Sequence, residues 1–217
     1  MRERNALLVA AGYAPTYAIR SLGDRELDFA RRAVELVLTG HGPHPAIAVD
    51  RHWTLVSANA AAARLLAVAH DARLLEPPVN VLRLSLHPDG LASRIANLGA
   101  WKARLLSRLA RQMQSTGDEV LVSLHTEFAA LPAPPNFAPV DDLIVPLELD
   151  SPAGRLSLIS TTTVFGTPLD VTISELAIET FLPADERTSK MLERLAGAGE
   201  EDVLTPHLKP SPRSSSL

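Results

Sequence analysis

Asn80, Arg83 and His87 stand at intervals of three and four residues, the spacing that lines side chains along one face of a helix. The arginine offers a planar fork of donors suited to a carboxylate head group, and its two neighbours add hydrogen-bonding capacity. The trio is therefore a candidate ligand-binding site. The competing reading is structural: Asn80 caps the helix, and Arg83 pairs with a carboxylate such as Asp50 or Glu76. Trp53 and Trp101 are candidate pocket walls, although large aromatics also serve as ordinary core. Ser85, His87 and Asp89 are the residue types of a hydrolytic triad. Residues two apart around Pro88 have no reason to converge, however, and the chain holds no Gly-x-Ser-x-Gly elbow, so no catalytic residue is assigned. His41, His44 and His52 invite a metal, but Gly42 and Pro43 place the first two in a loop and no carboxylate cluster completes a set. Neither a metal nor another cofactor is expected. The hydroxyls of Thr161, Thr162 and Thr163 alternate across a strand, suiting solvent or a polar spot in a pocket.

Composition bounds what can position these residues. A chain of 217 residues with 46% hydrophobic and 21% charged residues can bury one sizeable core. Aromatics are only 4% of it, so that core is built mostly of Leu, Val, Ile and Ala. The net charge of -4 argues against a broad face that wraps phosphate backbone. The longest apolar runs are broken by charges such as Arg64 and fall short of the ~20 residues that span a bilayer. With no cysteine, disulfides and thiolate chemistry are excluded, which agrees with a reducing cytoplasm.

The elements follow from period and punctuation. Residues 4–11 read as a short helix stopped by Gly12 and Pro15. After a linker through Ser21, Leu27, Ala30, Val34, Val37 and Leu38 recur at helical spacing up to Gly40. Ala46 to Asp50 and Trp53 to Ser57 form a hairpin, and Asn59 caps a helix over the alanine-rich run that follows. A short helix starts at Asn80 and breaks at His87-Pro88-Asp89-Gly90. The longest helix steps from Leu91 through Ile95, Leu98, Trp101, Leu105 and Leu109, with Arg94, Lys102, Arg104, Arg108 and Arg111 between. Asp118 opens another helix, whose face is Leu121, Leu124, Phe128 and Leu131, and a proline-rich loop ends it. Three late strands form a meander: Leu143 to Leu149, Arg155 to Phe165, and Val171 on to Pro183. Pro146 lacks a ladder donor and belongs on an edge or at a bulge. A final helix covers 185–196, and residues 197–217 are too polar to order themselves.

Four strings carry a resemblance. Arg2 to Pro15 (RERNALLVAAGYAP) resembles the junction that follows the DNA-binding domain in MmyB-like regulators of the XRE helix-turn-helix superfamily. Pro45 to Asn59 (PAIAVDRHWTLVSAN), Asn80 to Gly90 (NVLRLSLHPDG) and Ser160 to Glu179 (STTTVFGTPLDVTISELAIE) are similar to that family's ligand-binding domain, in the same order. The resemblance implies an α/β (α+β) fold: a PAS-like five-stranded antiparallel sheet with helices packed on one face, plus N-terminal helices, agreeing with the strand count above. It implies residues 1–20 as the remnant of the junction, 21–196 as the ligand-binding domain and 197–217 as a disordered tail. It also implies a cytoplasmic homodimer that senses a small apolar or acyl-chain ligand and is no enzyme. DNA is reached through a helix-turn-helix for which Met1 leaves no room, so the expectation is a fragment or a start set too far downstream. The alternative from the residues alone is a ligand-free dimerisation or interaction module built on the helix from Leu27 to Leu38.

Overall fold

The computed structural model describes residues 2–15, 28–135, 144–165 and 174–201. The linker through Ser21, Leu27, residues 136–143 of the proline-rich loop, the start of the last strand at Val171 and the tail from 202 lie outside them. Helix α1 (Arg2–Ala10) is followed by α2 (Asp28–Gly40), whose apolar face meets the sheet.

Strands β1 (Ala46–Val49) and β2 (Leu55–Ala58) pair antiparallel. In the connection between them, Asp50 Oδ1 accepts the backbone N–H groups of His52 and Thr54, each at 2.8 Å. Trp53 follows with φ at 67°, a left-handed backbone that bulky side chains rarely adopt. Asn80 Nδ2, donating to His52 O at 2.9 Å, and Val81 N–H, donating to Trp53 O at 3.0 Å, hold the loop in that shape.

Asn59 caps α3 (Ala60–Leu66) as the sequence predicts, accepting from Ala62 N at 2.9 Å. The same amide accepts from Ala46 N and donates to Leu38 O and His44 O, so it also ties α2 to the sheet. Asn80 caps α4 (Val81–Leu86), which ends at the expected break. There a Cβ on Gly90 would stand 2.1 Å from Leu84 O, so no other residue fits.

Helix α5 (Leu98–Thr116) starts later than the apolar spacing from Leu91 predicts. Ile95 bridges to Leu149, Ala96 N donates to Glu148 O at 2.8 Å, and the Asn97 amide binds Pro146 O and Glu148 N. These bonds to a neighbouring strand outweigh local periodicity, leaving only a tight turn at Ala92–Arg94. Gly117, with φ at 64°, closes α5, and Asp118 caps α6 (Glu119–Ala130).

Strands β3 (Leu147–Ser151), β4 (Gly154–Val164) and β5 (Ala177–Pro183) complete the sheet. Helix α7 (Glu186–Glu201) follows and continues past Ala196, where the sequence predicts an end. The strand order is β2-β1-β5-β4-β3 with every pairing antiparallel: a PAS-like five-stranded sheet in an α+β fold. Pro146 directly precedes edge strand β3, where its missing N–H costs no ladder bond.

The sheet's inner face supplies Ile47, Val49, Leu149, Leu156 and Leu158 to the main core, against Leu65, Leu82, Leu105, Leu109, Leu121 and Phe128 from the helices. Each such fully buried leucine contributes roughly 1.5–3 kcal/mol of apolar burial. On the opposite face α2 lays Val34 and Leu38 over Ala46, Ala48 and Ile178, where the two alanines allow close approach.

Candidate ligand pocket

The inner face of the sheet and helices α3, α4 and α5 do not close completely on each other. Between them lies a cavity of about 80 Å³, floored by Ile47, Leu147, Leu158 and Phe181 and roofed by residues that include Leu65, Leu82, Leu105, Trp53 and Trp101. On this measure ~10–15 Å³ admits one water, so the space takes a small molecule or a short chain. Its shape follows from composition: smooth aliphatic walls with two indoles and few polar atoms.

Those polar atoms belong to Ser85, Ser160 and Glu179. The Glu179 side chain is 3% exposed, which requires compensation for its charge. Its Oε1 accepts from Arg108 Nη2 at 2.6 Å and Thr162 Oγ1 at 2.9 Å; its Oε2 accepts from Arg108 Nη1 at 2.9 Å and Ser160 Oγ at 3.2 Å. A carboxylate has about four lone-pair sites, so this one is saturated. The Arg108 guanidinium also lies over the Trp53 ring, 4.4 Å from its centroid, while Trp53 Nε1 donates to Gln112 Oε1 at 2.9 Å. Trp53, Arg108 and Glu179 thus form one wall. Across the cavity, Trp101 Nε1 donates to Ser85 Oγ at 3.1 Å.

Behind that wall runs a polar groove beneath α1, lined by Arg2, Arg51, Asp118 and Glu175 among others. Arg2 Nε meets Glu175 Oε1 at 2.7 Å, Arg51 pairs with Asp118 and reaches Glu175 at 3.5 Å, and His52 Nε2 lies 3.0 Å from Asp118 Oδ2. Burial pushes the Asp118 carboxyl up, but the bonds from His52 and Val120 N–H and the charge of Arg51 outweigh it. The net result lies below the ordinary range.

Of the residues singled out in the sequence, Trp53 and Trp101 line the cavity, and Asn80, Arg83 and His87 do not. Asn80 Oδ1 accepts from the N–H groups of Leu82 and Arg83 at 3.1 Å, and its amide nitrogen holds His52 O. Arg83 makes a bidentate pair with Glu127 on α6 at 2.6 and 2.7 Å, in place of Asp50 or Glu76. That hydrogen-bonded pair holds the Glu127 carboxyl below its usual range. His87 Nδ1 accepts from Asp89 N at 3.1 Å. Helix α4 therefore lines the cavity through Val81, Leu82 and Ser85 and turns Arg83 outward. Ser85 is bonded to an indole and His87 to a backbone amide, so Ser85, His87 and Asp89 form no relay. Among the described residues no three metal-binding side chains gather.

Arg108, Glu179, Ser85 and Ser160 are absent from the sequence-based site. The one signal for Glu179 is its register: in Ala177–Phe181 it alternates onto the inward face, opposite Ile47.

Among solved structures, the PAS domain of Bordetella pertussis BvgS is similar to the chain at 14% identity and a TM-score of 0.33, covering 80% of this chain and 99% of that one. No curated protein sequence matches the chain. A family model described as the MmyB-like transcription regulator ligand binding domain matches residues 30–195. With most of its length covered by that match, the chain belongs to the MmyB-like transcription regulator ligand-binding domain family.

Proposed function

We propose that the chain is the ligand-sensing and dimerisation domain of a bacterial transcriptional regulator, and that a small apolar or acyl-chain molecule fills the cavity. The observation that carries this reading is the apolar space between sheet and helices, walled by both of the chain's tryptophans. In it Trp53 and Trp101 contact the ligand. Asn80, Arg83 and His87 brace the wall formed by α4 and the β1–β2 connection.

The signal runs outward through the Trp53–Arg108–Glu179 wall. Repacking there moves the groove on which α1 rests, and α1 leads back toward a helix-turn-helix that meets DNA in the cytoplasm. Ligand binding shifts the regulator only as far as its affinity differs between two arrangements. No catalysis and no cofactor enter this reading. Among the described residues no helix is long and apolar enough to cross a membrane.

A second reading rests on α2. Phe29 and Leu36 are 79% and 75% exposed, and with Ala33 they form an apolar stripe beside the buried one. That stripe supports a homodimer contact, and by itself it supports a ligand-free dimerisation module. Native mass spectrometry of the purified chain, followed by denaturing extraction, separates the two. A dimer that releases an apolar compound is expected. A dimer that carries none and rejects a panel of acyl chains transfers the assignment to the second reading.

A further inference from the structure

We infer that His52 makes the docking of α1 sensitive to acid: a proton on its ring breaks the chain of ion pairs that holds the helix over the polar groove. The first ground is how α1 is held. Among its described residues only Asn5 is buried, while Leu7 and Val9 are 71% and 59% exposed, so apolar packing contributes little. A charged contact carries α1 into the groove instead: Arg2 Nε and Nη2 donate to the two oxygens of Glu175 at 2.7 and 2.9 Å. A helix of 9 residues is marginal alone in water, so α1 keeps its shape only while it is docked.

The second ground is the atom on which the chain of ion pairs turns. His52 Nε2 accepts from Arg51 Nε at 3.0 Å, and the same guanidinium gives Nη2 to Asp118 Oδ2, so one fork spans both acceptors. This arrangement uses the Nε2 lone pair and needs a neutral ring. The His52 side chain is 27% exposed, so water can deliver a proton to it. Protonation sets an N–H where Arg51 Nε–H already points. The ring then donates to Asp118 Oδ2, 3.0 Å away, and Arg51 has to turn. Its Nη1 stands 3.5 Å from Glu175 Oε1, the oxygen that Arg2 Nε holds, so two guanidiniums compete for one carboxylate. Arg2 and Arg51 balance Asp118 and Glu175 while the ring is neutral; with the proton the set carries an excess positive charge. Of the other charged groups lining the groove, Arg108 and Glu179 pair with each other, Glu119 is exposed where water screens it, and Asp50 Oδ1 is committed to the backbone of His52 and Thr54. The docked state favours the neutral ring. Its advantage is therefore full above the range in which histidine exchanges its proton and is lost as pH falls through it, while Asp118, depressed below the ordinary range, keeps its charge. In the regulator proposed above, acid would thus uncouple the sensor from what lies beyond α1, although the docking switch does not depend on what fills the cavity.

The test is amide hydrogen exchange of the whole chain, read by mass spectrometry in steps from about pH 8 to about pH 5.5 and corrected for the intrinsic exchange rate at each step. Protection of α1 is expected to fall at least about tenfold across that range, while the amides of β4 and β5 keep theirs. His52→Gln, whose side-chain oxygen accepts from Arg51 and takes no proton, is expected to keep α1 protected at both ends. Arg2→Ala is expected to leave α1 unprotected at both. In the unsubstituted chain the His52 ring resonances should titrate with the same midpoint as the loss of α1 protection. Protection of α1 that ignores pH overturns the inference. So does a fall that persists in His52→Gln, a midpoint apart from that of the ring, or an α1 that stays protected in Arg2→Ala. Each of these leaves the sensor reading, tested by native mass spectrometry, where it stood.

Discussion

On one side of Trp53 the chain lines a pocket with leucines and indoles; on the other it lines a groove with arginines and carboxylates beneath α1. Both are lined by Trp53 and Glu179. The cavity side is mainly apolar and, among the described residues, its one carboxylate is fully matched, so geometry there is set by packing. The groove side is held by ion pairs whose partners reach water, among them Arg2 and Glu175. Packed apolar walls resist small displacements, whereas part-exposed ion pairs exchange partners at little cost. The difference teaches which side is suited to recognise and which to respond.

The largest expected effect falls on the wall itself. Arg108→Ala leaves the Glu179 carboxylate buried with hydroxyl donors alone, and urea unfolding should record a loss of about 3–5 kcal/mol. Adding Glu179→Gln should recover most of it, because the amide carries no charge. A loss below ~1 kcal/mol would mean that water already reaches both sides and the wall divides nothing.

A smaller, pH-dependent effect belongs to the groove. The Asp118 carboxyl is depressed in the folded chain, so its contribution is complete above the ordinary carboxylate range and fades as pH falls through that range toward the lower folded value. Asp118→Asn keeps a competent cap for α6 but removes the titration. The acid side of the stability profile should therefore flatten in this variant. An unchanged profile would assign the acid sensitivity elsewhere and detach α1's docking network from Asp118.

The smallest effect is expected at Arg83. Its pair with Glu127 is about two-fifths exposed on both sides, 40% and 39%, which limits Arg83→Ala to at most ~1 kcal/mol. Ligand affinity should stay within about twofold, since the side chain points away from the cavity. Loss of ligand in this variant would return Arg83 to the binding site and blur the contrast between the two sides.

Local features were legible wherever the partners are close in sequence. Asn59, Asn80 and Asp118 each sit just before a run with helical period, and each caps its helix. The hairpin around Arg51 and His52 and the break at Gly90 follow from turn chemistry. The helical pattern from Leu91 misleads by seven residues, because Ile95 and Asn97 bond to a strand about fifty positions downstream.

The sequence by itself determined the α+β class, the two early and three late strands, the caps and the aliphatic character of the core, because these depend on composition and on residues a few positions apart. Only the tertiary structure decided that Arg83 turns to Glu127, 44 residues away, and that Arg108 reaches Glu179 across 71. It alone set the Trp101 indole N–H against Ser85 Oγ, 16 residues away. A charged side chain is neutralised by whichever opposite charge folding brings within about 4 Å, and no local pattern encodes that distance.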